Sequence, residues 1–420
     1  MQVIQSIKTF LKAHKKIVVA IILFIIVDIF FGIRFVNNIL SIGTAKESGY
    51  YYIDMSGRMV NSVAYMEAGT PFSEDGIAYA KGISIQGKSY GAEGFIDEKG
   101  KVIKEGEFGQ VNLEGSFSFP IIIREYGRFK LIDKDMNVIA ERQCEDSKGI
   151  WSCYSDIAGG LYLLSCDSFD SGLQCGYMKS NLEWAIEPKF SGAYVFSEDK
   201  IAAVQDSESG LWGYIDFDGK YISDERYYKT TPFSGGYALV QKEKNGNGAY
   251  INTKGEYITD FVFDFYASQR GFSEGLACVK FADKGGFGYI NEQGDIVIEP
   301  GYRDAGAFAH GLAPVQETDF KYIDKNGNTV IEGDFYWANS FSLDGYAAVI
   351  QDGKYGIIDT NGDWLFEPQF ATRRPVNWED GFEDLGLFKG LDVTAPNVEN
   401  GYCIVCLEKG QRIKKTKRIK

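Results

Sequence analysis

The sequence predicts an all-β fold of about nine tandem units of roughly 38 residues, preceded by one N-terminal transmembrane helix. Three observations predict it. A tetrad related to Gly-Tyr-Ile-Asp recurs nine times after residue 50, a glycine follows it three positions on in seven copies, and the composition is that of a strand-and-turn protein. The 420 residues hold 26 Tyr, 30 Phe and 49 Gly but only 9 Pro. Aromatic strand formers joined by glycine turns give that composition, whereas a collagen-like or proline-rich disordered chain does not.

The first element is the apolar run Ile17–Ile33, broken only by Asp28 and Gly32. Its length sits at the short end of the roughly 17–25 residues that span a bilayer and exceeds the ~7–15 of a cleaved signal core. An uncleaved anchor is therefore expected at 17–33, with 1–16 as a short cytoplasmic segment and 34–49 as a linker. Lys8, Lys12, Lys15 and Lys16 precede the run, and only Arg34 and Lys46 follow it closely. The positive-inside rule then leaves the N-terminus cytoplasmic and the repeats extracytoplasmic. Asp28, near the outer end of the run, is expected to reach toward headgroups.

The repeat domain, 50–408, comes next. Its tetrads end at Asp54, Asp97, Asp133, Lys179, Asp216, Asn252, Asn291, Asp324 and Asp359. A period of this size calls for a repeat architecture. The third tetrad position is Ile in eight copies and Met178 in the ninth, which suits complete burial. Aromatics at the second position can stack on a neighbouring strand or unit. Asp-x-x-Gly suits a type I turn closed by a residue with positive φ, the departures being Met136 and Leu182. After the turn comes a strand with a proline signature, as in Glu187-Pro188, Glu299-Pro300 and Glu367-Pro368, then Phe, a small-residue turn and another strand. Each unit is thus a meander of three strands with a short fourth.

These residues resemble the WG-repeat family, whose units read approximately GLAxV…GKWGYIDxxGKxVIxPxY…FSEG. The resemblance covers most of 50–408. Trp-Gly itself stands only at Trp212-Gly213; elsewhere the Trp position holds Tyr50, Phe129, Phe287, Phe320 or Tyr355, and in three copies Glu93, Cys175 or Gly248. The resemblance implies a β-repeat array, mostly in bacterial proteins of undefined function, and brings no catalytic residues with it.

The first unit starts abruptly at Tyr50 without the strand that precedes later tetrads, and GYCIVCL at 401–407 resembles that missing piece. The C-terminal strand is therefore expected to complete the first unit as a clasp, closing a β-propeller-like array. An open β-solenoid is the alternative, since nine units exceed the usual four to eight blades or so.

Four of seven cysteines cluster at Cys144, Cys153, Cys166 and Cys175. An extracytoplasmic site lets them pair, and 144–153 with 166–175 is the expected connectivity. Cys403 and Cys406 form a CxxC, but residues three apart on a strand face opposite ways, so neither metal nor redox work is expected.

Charge is segregated. The basic tail 409–420 has seven basic and no acidic residues, residues 1–34 have five basic and one acidic, and the body 35–408 carries a net −25. Such a body excludes nucleic acid and suits cationic partners, while the tail suits an anionic surface. Only His14 and His310 are present, so a His-based triad is not expected. The repeated Asp54, Asp97, Asp216, Asp324 and Asp359 are expected to cap turns. No cofactor is implied. The function expected is that of a membrane-anchored extracytoplasmic binding module, not an enzyme, that meets a protein or envelope polymer through idiosyncratic segments carrying Trp151, Arg373, Arg374, Trp378 and Phe382. The alternatives are an envelope polysaccharide hydrolase using paired acids such as Glu379, Asp380, Glu383 and Asp384, or a passive spacer.

Overall fold

A computed structural model describes residues 44–46, 48–61, 65, 69–81, 93–106, 111–112, 117–125, 128–143, 150–154, 160–168, 172–372, 396 and 398–414. The expected anchor at 17–33 and segment 1–16 lie outside these, as does most of the linker. Among the described residues no helix is long and apolar enough to cross a membrane. They form strands in eight sheets, antiparallel throughout except where Val111–Asn112 pairs in parallel with Ile150–Tyr154.

Three sheets show the unit most clearly. The seventh unit is Phe272–Ser273, Leu276–Lys280, Phe287–Asn291 and Ile296–Tyr302. The eighth is Asp304–Ala305, Ala313–Gln316, Phe320–Ile323 and Thr329–Phe335, and the ninth Trp337–Ala338, Tyr346–Gln351, Lys354–Asp359 and Trp364–Phe370. We name these four strands a to d. Strand a is the short fourth strand, and the tetrad ends strand c. The seven-stranded sheet holds units four and five, because Trp184–Ala193 pairs first with the preceding unit (Ile186 opposite Tyr177) and then with the next (Ala193 opposite Val204).

The core lies between units. Every tetrad isoleucine from Ile53 to Ile358, and Met178, is at most 1% exposed. Cys278 and Tyr289 of unit seven share one cluster with Phe308, Val315 and Ile323 of unit eight. The tetrad tyrosine is the seam. Its ring meets the Phe that opens the next a–b turn, at 4.8 Å for Tyr214–Phe233, 4.9 Å for Tyr289–Phe308 and 4.8 Å for Tyr322–Phe341. Its hydroxyl donates to a carbonyl of the following unit: Tyr177 to Tyr194, Tyr289 to Gly306, Tyr322 to Asn339. A buried hydroxyl must find such a partner, so each tyrosine fixes the next unit's position as well as filling space.

The chain ends meet in one sheet. Tyr402–Leu407 pairs antiparallel with Gly49–Asp54, Leu407 opposite Gly49 and Tyr402 opposite Asp54, with Val398–Glu399 on its other side. Bridges Tyr50–Tyr65 and Ile53–Met59 add the outer strand. The first unit therefore takes its a and b strands from the C-terminus and its c and d strands from the N-terminus, as the clasp expectation required.

Candidate functional site

Antiparallel order puts the a–b and c–d turns at one end of every unit and the b–c and d–a loops at the other, giving a turn face and a loop face. On the turn face, sequence and geometry agree closely. Oδ1 of Asp324 accepts the amides of Asn326 (2.9 Å) and Asn328 (2.8 Å), and Asp97, Asp216 and Asp359 repeat the pattern. Asn252 and Asn291 do the same through an amide oxygen. The following glycine has positive φ in all seven copies, and Met136 (63°) and Leu182 (62°) adopt the same conformation without being glycine. Cooperative turn geometry overrides their residue preference there.

Hydrogen bonds to the turn carboxylates favour the charged form. The side-chain amide and then the backbone of Asn328 hold Asp324 below the usual carboxylate range, and Asn137 does so for Asp133. A depressed folded pKa contributes stability that is full above the unfolded value near 3.9 and is lost as pH falls through the folded value. Thermal melting should thus be flat in its acid dependence down to about pH 5 and fall below about pH 4. The Asp133→Asn/Asp324→Asn double variant, whose amides retain the turn as Asn252 and Asn291 do, should show a shallower acid limb. An unchanged limb would refute this assignment.

The a–b turns link unit to unit. Asp199 Oδ2 accepts Gly236 N (3.2 Å), Glu274 Oε2 accepts Gly311 N (3.0 Å) and Asp344 Oδ2 accepts Gly401 N (3.0 Å). His310 sits in this series as an exposed turn residue, its Nε2 2.9 Å from the Ser342 carbonyl. Acids outnumber bases in both sets of turns. Between units two and three an open cleft of about 510 Å³ is lined by Asp75, Asp97, Glu98, Lys99, Lys134 and Asp135. Leu343, 89% exposed, projects from the a–b turn of unit nine. Among the described residues no group of three or more His, Cys, Asp or Glu is arranged to hold a metal.

The loop face has a different chemistry. Lysines lie over aromatic rings: Lys189 over Phe190 (5.1 Å), Lys229 over Tyr266 (4.8 Å), Lys242 over Tyr257 (5.1 Å), Lys280 over Phe287 (5.8 Å) and Lys284 over Phe281 (5.0 Å). Sequence reading missed this strip because its members come from different units and loops. The first and last described residues, Thr44 and Lys414, both lie here. A Thr44–Arg412 bridge extends the clasp, Gly410 N donates to Ala45 O (2.8 Å), and Gln369 binds both backbone groups of Lys414. Ile413 is 1% exposed, while Lys409, Arg412 and Lys414 are exposed.

The expected site residues fare unevenly. Arg373, Arg374, Trp378 and Phe382, together with Glu379, Asp380, Glu383 and Asp384, lie outside the described residues, as does Cys144. Trp151 and Cys153 lie on Ile150–Tyr154. The 166–175 disulfide is corrected: Cys175 is a buried free thiol. Register is the reason, since Cys175 pairs with Ser165 and Cys166 with Gln174, one step apart. Burial pushes the Cys175 thiol up to about 11 and that of Cys278 to about 12, which makes both unreactive. Cys403 and Cys406 enter two different core clusters, on opposite sides of the clasp strand.

The family model described as WG containing repeat matches residues 176–207, 212–245, 249–284, 287–319, 322–355 and 355–371. No curated protein matches the chain. Among solved structures, Hsv2 of Kluyveromyces lactis is 12% identical with TM-score 0.29, covering 49% of this chain and 71% of its own. The dihydro-heme d1 dehydrogenase NirN is 12% identical with TM-score 0.37, covering 77% and 73%. A protein of unknown function from Bacteroides caccae is 15% identical with TM-score 0.22, covering 50% and 92%. Residues 176–371, a little under half of this chain, thus match the WG containing repeat as six consecutive repeats.

Proposed function

We propose that the chain is a membrane-anchored extracytoplasmic binding module whose nine units form a propeller-like ring, and that it presents its acidic turn face to a cationic protein or envelope polymer. One observation carries the reading: both described chain ends run out from the loop face. A chain anchored through 17–33 then projects its turn face away from the membrane. The clasp sheet favours a ring over an open solenoid, because it joins the units at the two ends of the chain. Complementary charge on that outward face speeds encounter and selects partners of opposite sign.

The test is crosslinking recovery from envelope fractions by the full chain, at low and high salt. A second sample carries Glu74→Lys, Glu198→Lys, Asp218→Lys and Glu292→Lys, exposed turn-face acids that cap none of the turns above. Saturable recovery of one basic partner, lost in the variant and weakened by salt, is expected. Equal recovery by both forms overturns the turn-face assignment. A polysaccharide shortened during incubation would replace binding with hydrolysis.

A further inference from the structure

We infer that the loop face docks on an anionic lipid surface, with the lysine–aromatic strip of units four to seven and the fixed start of the basic tail as its contacts. The inference rests on the anchored-module reading and names what covers the face left inward by it.

Four observations converge. First, Thr44 is eleven residues beyond Ile33, a span of at most about 36–40 Å, so an anchored chain keeps its loop face within reach of the headgroups. Second, the tail is oriented before it leaves the fold. Buried Ile413 pins the strand, so that Lys409, Arg412 and Lys414 emerge at this face, and four of the next six residues are basic. Third, Lys189, Lys229, Lys280 and Lys284 carry their ammonium groups beside aromatic rings, and Tyr266 and Tyr336 on the same face are 58% and 73% exposed. Amphipathic rings and long-stemmed cations are the side chains that suit a headgroup layer, with apolar body inward and polar tip in water. Lys242 contributes less, being paired with Glu225 at 3.0 Å. Fourth, acids far outnumber bases in the turns, whereas on the loop face acids such as Asp206, Glu243, Asp264 and Asp283 are offset by the lysine strip and the basic tail, so an anionic surface is repelled less by the loop face. Charge thereby favours that orientation.

The occupant is a lipid surface in preference to a soluble polyanion. The cations are spread over several units and do not converge in a groove, and a plane of headgroups meets them all at once while one polymer strand meets few. Attraction of this kind falls off within a Debye length, about 8–10 Å at ordinary salt, so it acts only on a face held close.

The full chain is reconstituted in vesicles of phosphatidylcholine alone or with phosphatidylglycerol, and lysine acetylation rates are read by mass spectrometry. Lys189, Lys229, Lys280 and Lys284 should label about tenfold more slowly in the anionic vesicles. Exposed turn-face Lys179, Lys220 and Lys254 should not change, and high salt should remove the difference. In a Lys229→Glu/Lys280→Glu/Lys284→Glu variant that retains the wild-type melting curve, protection at Lys189 and Lys414 should be lost. Equal labelling of both sets in both vesicles overturns the inference, as does slower labelling of the turn face. Equal protection by soluble polyphosphate without lipid assigns the face to a polymer and overturns it too. Alkaline extraction separates the readings: chain that washes off fails the anchor, and chain that stays without protection fails the docking.

Discussion

Ending the chain at Asn400 should abolish cooperative folding, although only 20 of 420 residues are removed. The lost strand Tyr402–Leu407 is the hydrogen-bonding partner of Gly49–Asp54 along its whole length. Cys403, Val405, Cys406, Leu407 and Ile413 are each at most 2% exposed, and they divide between two clusters that also contain Tyr51, Ile53, Tyr52 and Phe72. Burying such a side chain contributes about 1.5–3 kcal/mol. Removing five of them with a ladder of backbone hydrogen bonds approaches the whole 5–15 kcal/mol or so of a typical domain. The cut also bares the apolar edge Gly49–Asp54, a template for aggregation. A single change, Leu407→Asp, should cost more than about 4 kcal/mol by burying an unpaired charge. Denaturant unfolding followed by circular dichroism, with size-exclusion chromatography, checks both. In an open array, loss of an end unit lowers stability by roughly one unit's share. A truncated chain that still unfolds cooperatively near the wild-type midpoint would favour that alternative. Refolding on addition of a peptide covering 398–414 would identify strand pairing as the missing term.

The clasp was legible because a repeat makes an absence visible: unit one lacks a b strand, and GYCIVCL is one without a unit. The buried tetrad isoleucines and the Asp-capped turns were legible for the same reason, each being a local pattern stated many times. What escaped depends on relations between strands. Cys166 and Cys175 lie on neighbouring strands, and only the register shows that they miss each other by one position. Met136 and Leu182 break the glycine rule in sequence yet keep it in φ, because the rest of the turn dictates the backbone. The lysine strip is assembled from residues as distant as Lys189 and Lys284, so no window of sequence contains it.

Gly288→Ala should destabilise the protein by about 3 kcal/mol, far more than an exposed strand substitution, through close approach alone. Gly288 does not need a left-handed backbone. A Cβ there would stand 2.6 Å from the Ile298 carbonyl oxygen and 2.8 Å from Pro300 N, both main-chain atoms. The cause is the bulge of strand d, which shifts register between Phe287 and Tyr289 where the Glu-Pro pair passes over strand c. Units four and nine repeat it: Gly176 faces Pro188 N at 2.7 Å and Gly356 faces Pro368 N at 3.0 Å. Proline on this outer strand withholds a donor from solvent and so blunts the edge against further pairing. The bulge it sits in demands a residue without a side chain beneath. Unit five lacks Glu-Pro, and there the space over Gly213 is filled by the Tyr221 ring at 2.8 Å, with the Arg226 guanidinium 3.6 Å above that ring. A side chain can move where a main chain cannot, so Gly213→Ala should cost less than Gly288→Ala. Gly301→Ala, with nothing within 4 Å of the new methyl, should stay within about 0.5 kcal/mol of wild type. Urea midpoints of the three variants give the order directly, and a Gly288→Ala protein as stable as Gly301→Ala would refute the bulge account. The same geometry explains where the glycine of the Trp-Gly pair is kept. Under each Glu-Pro bulge it stays glycine, as Gly176, Gly288 and Gly356, whereas units without that bulge can place Tyr51, Lys130, Ala249 or Lys321 there.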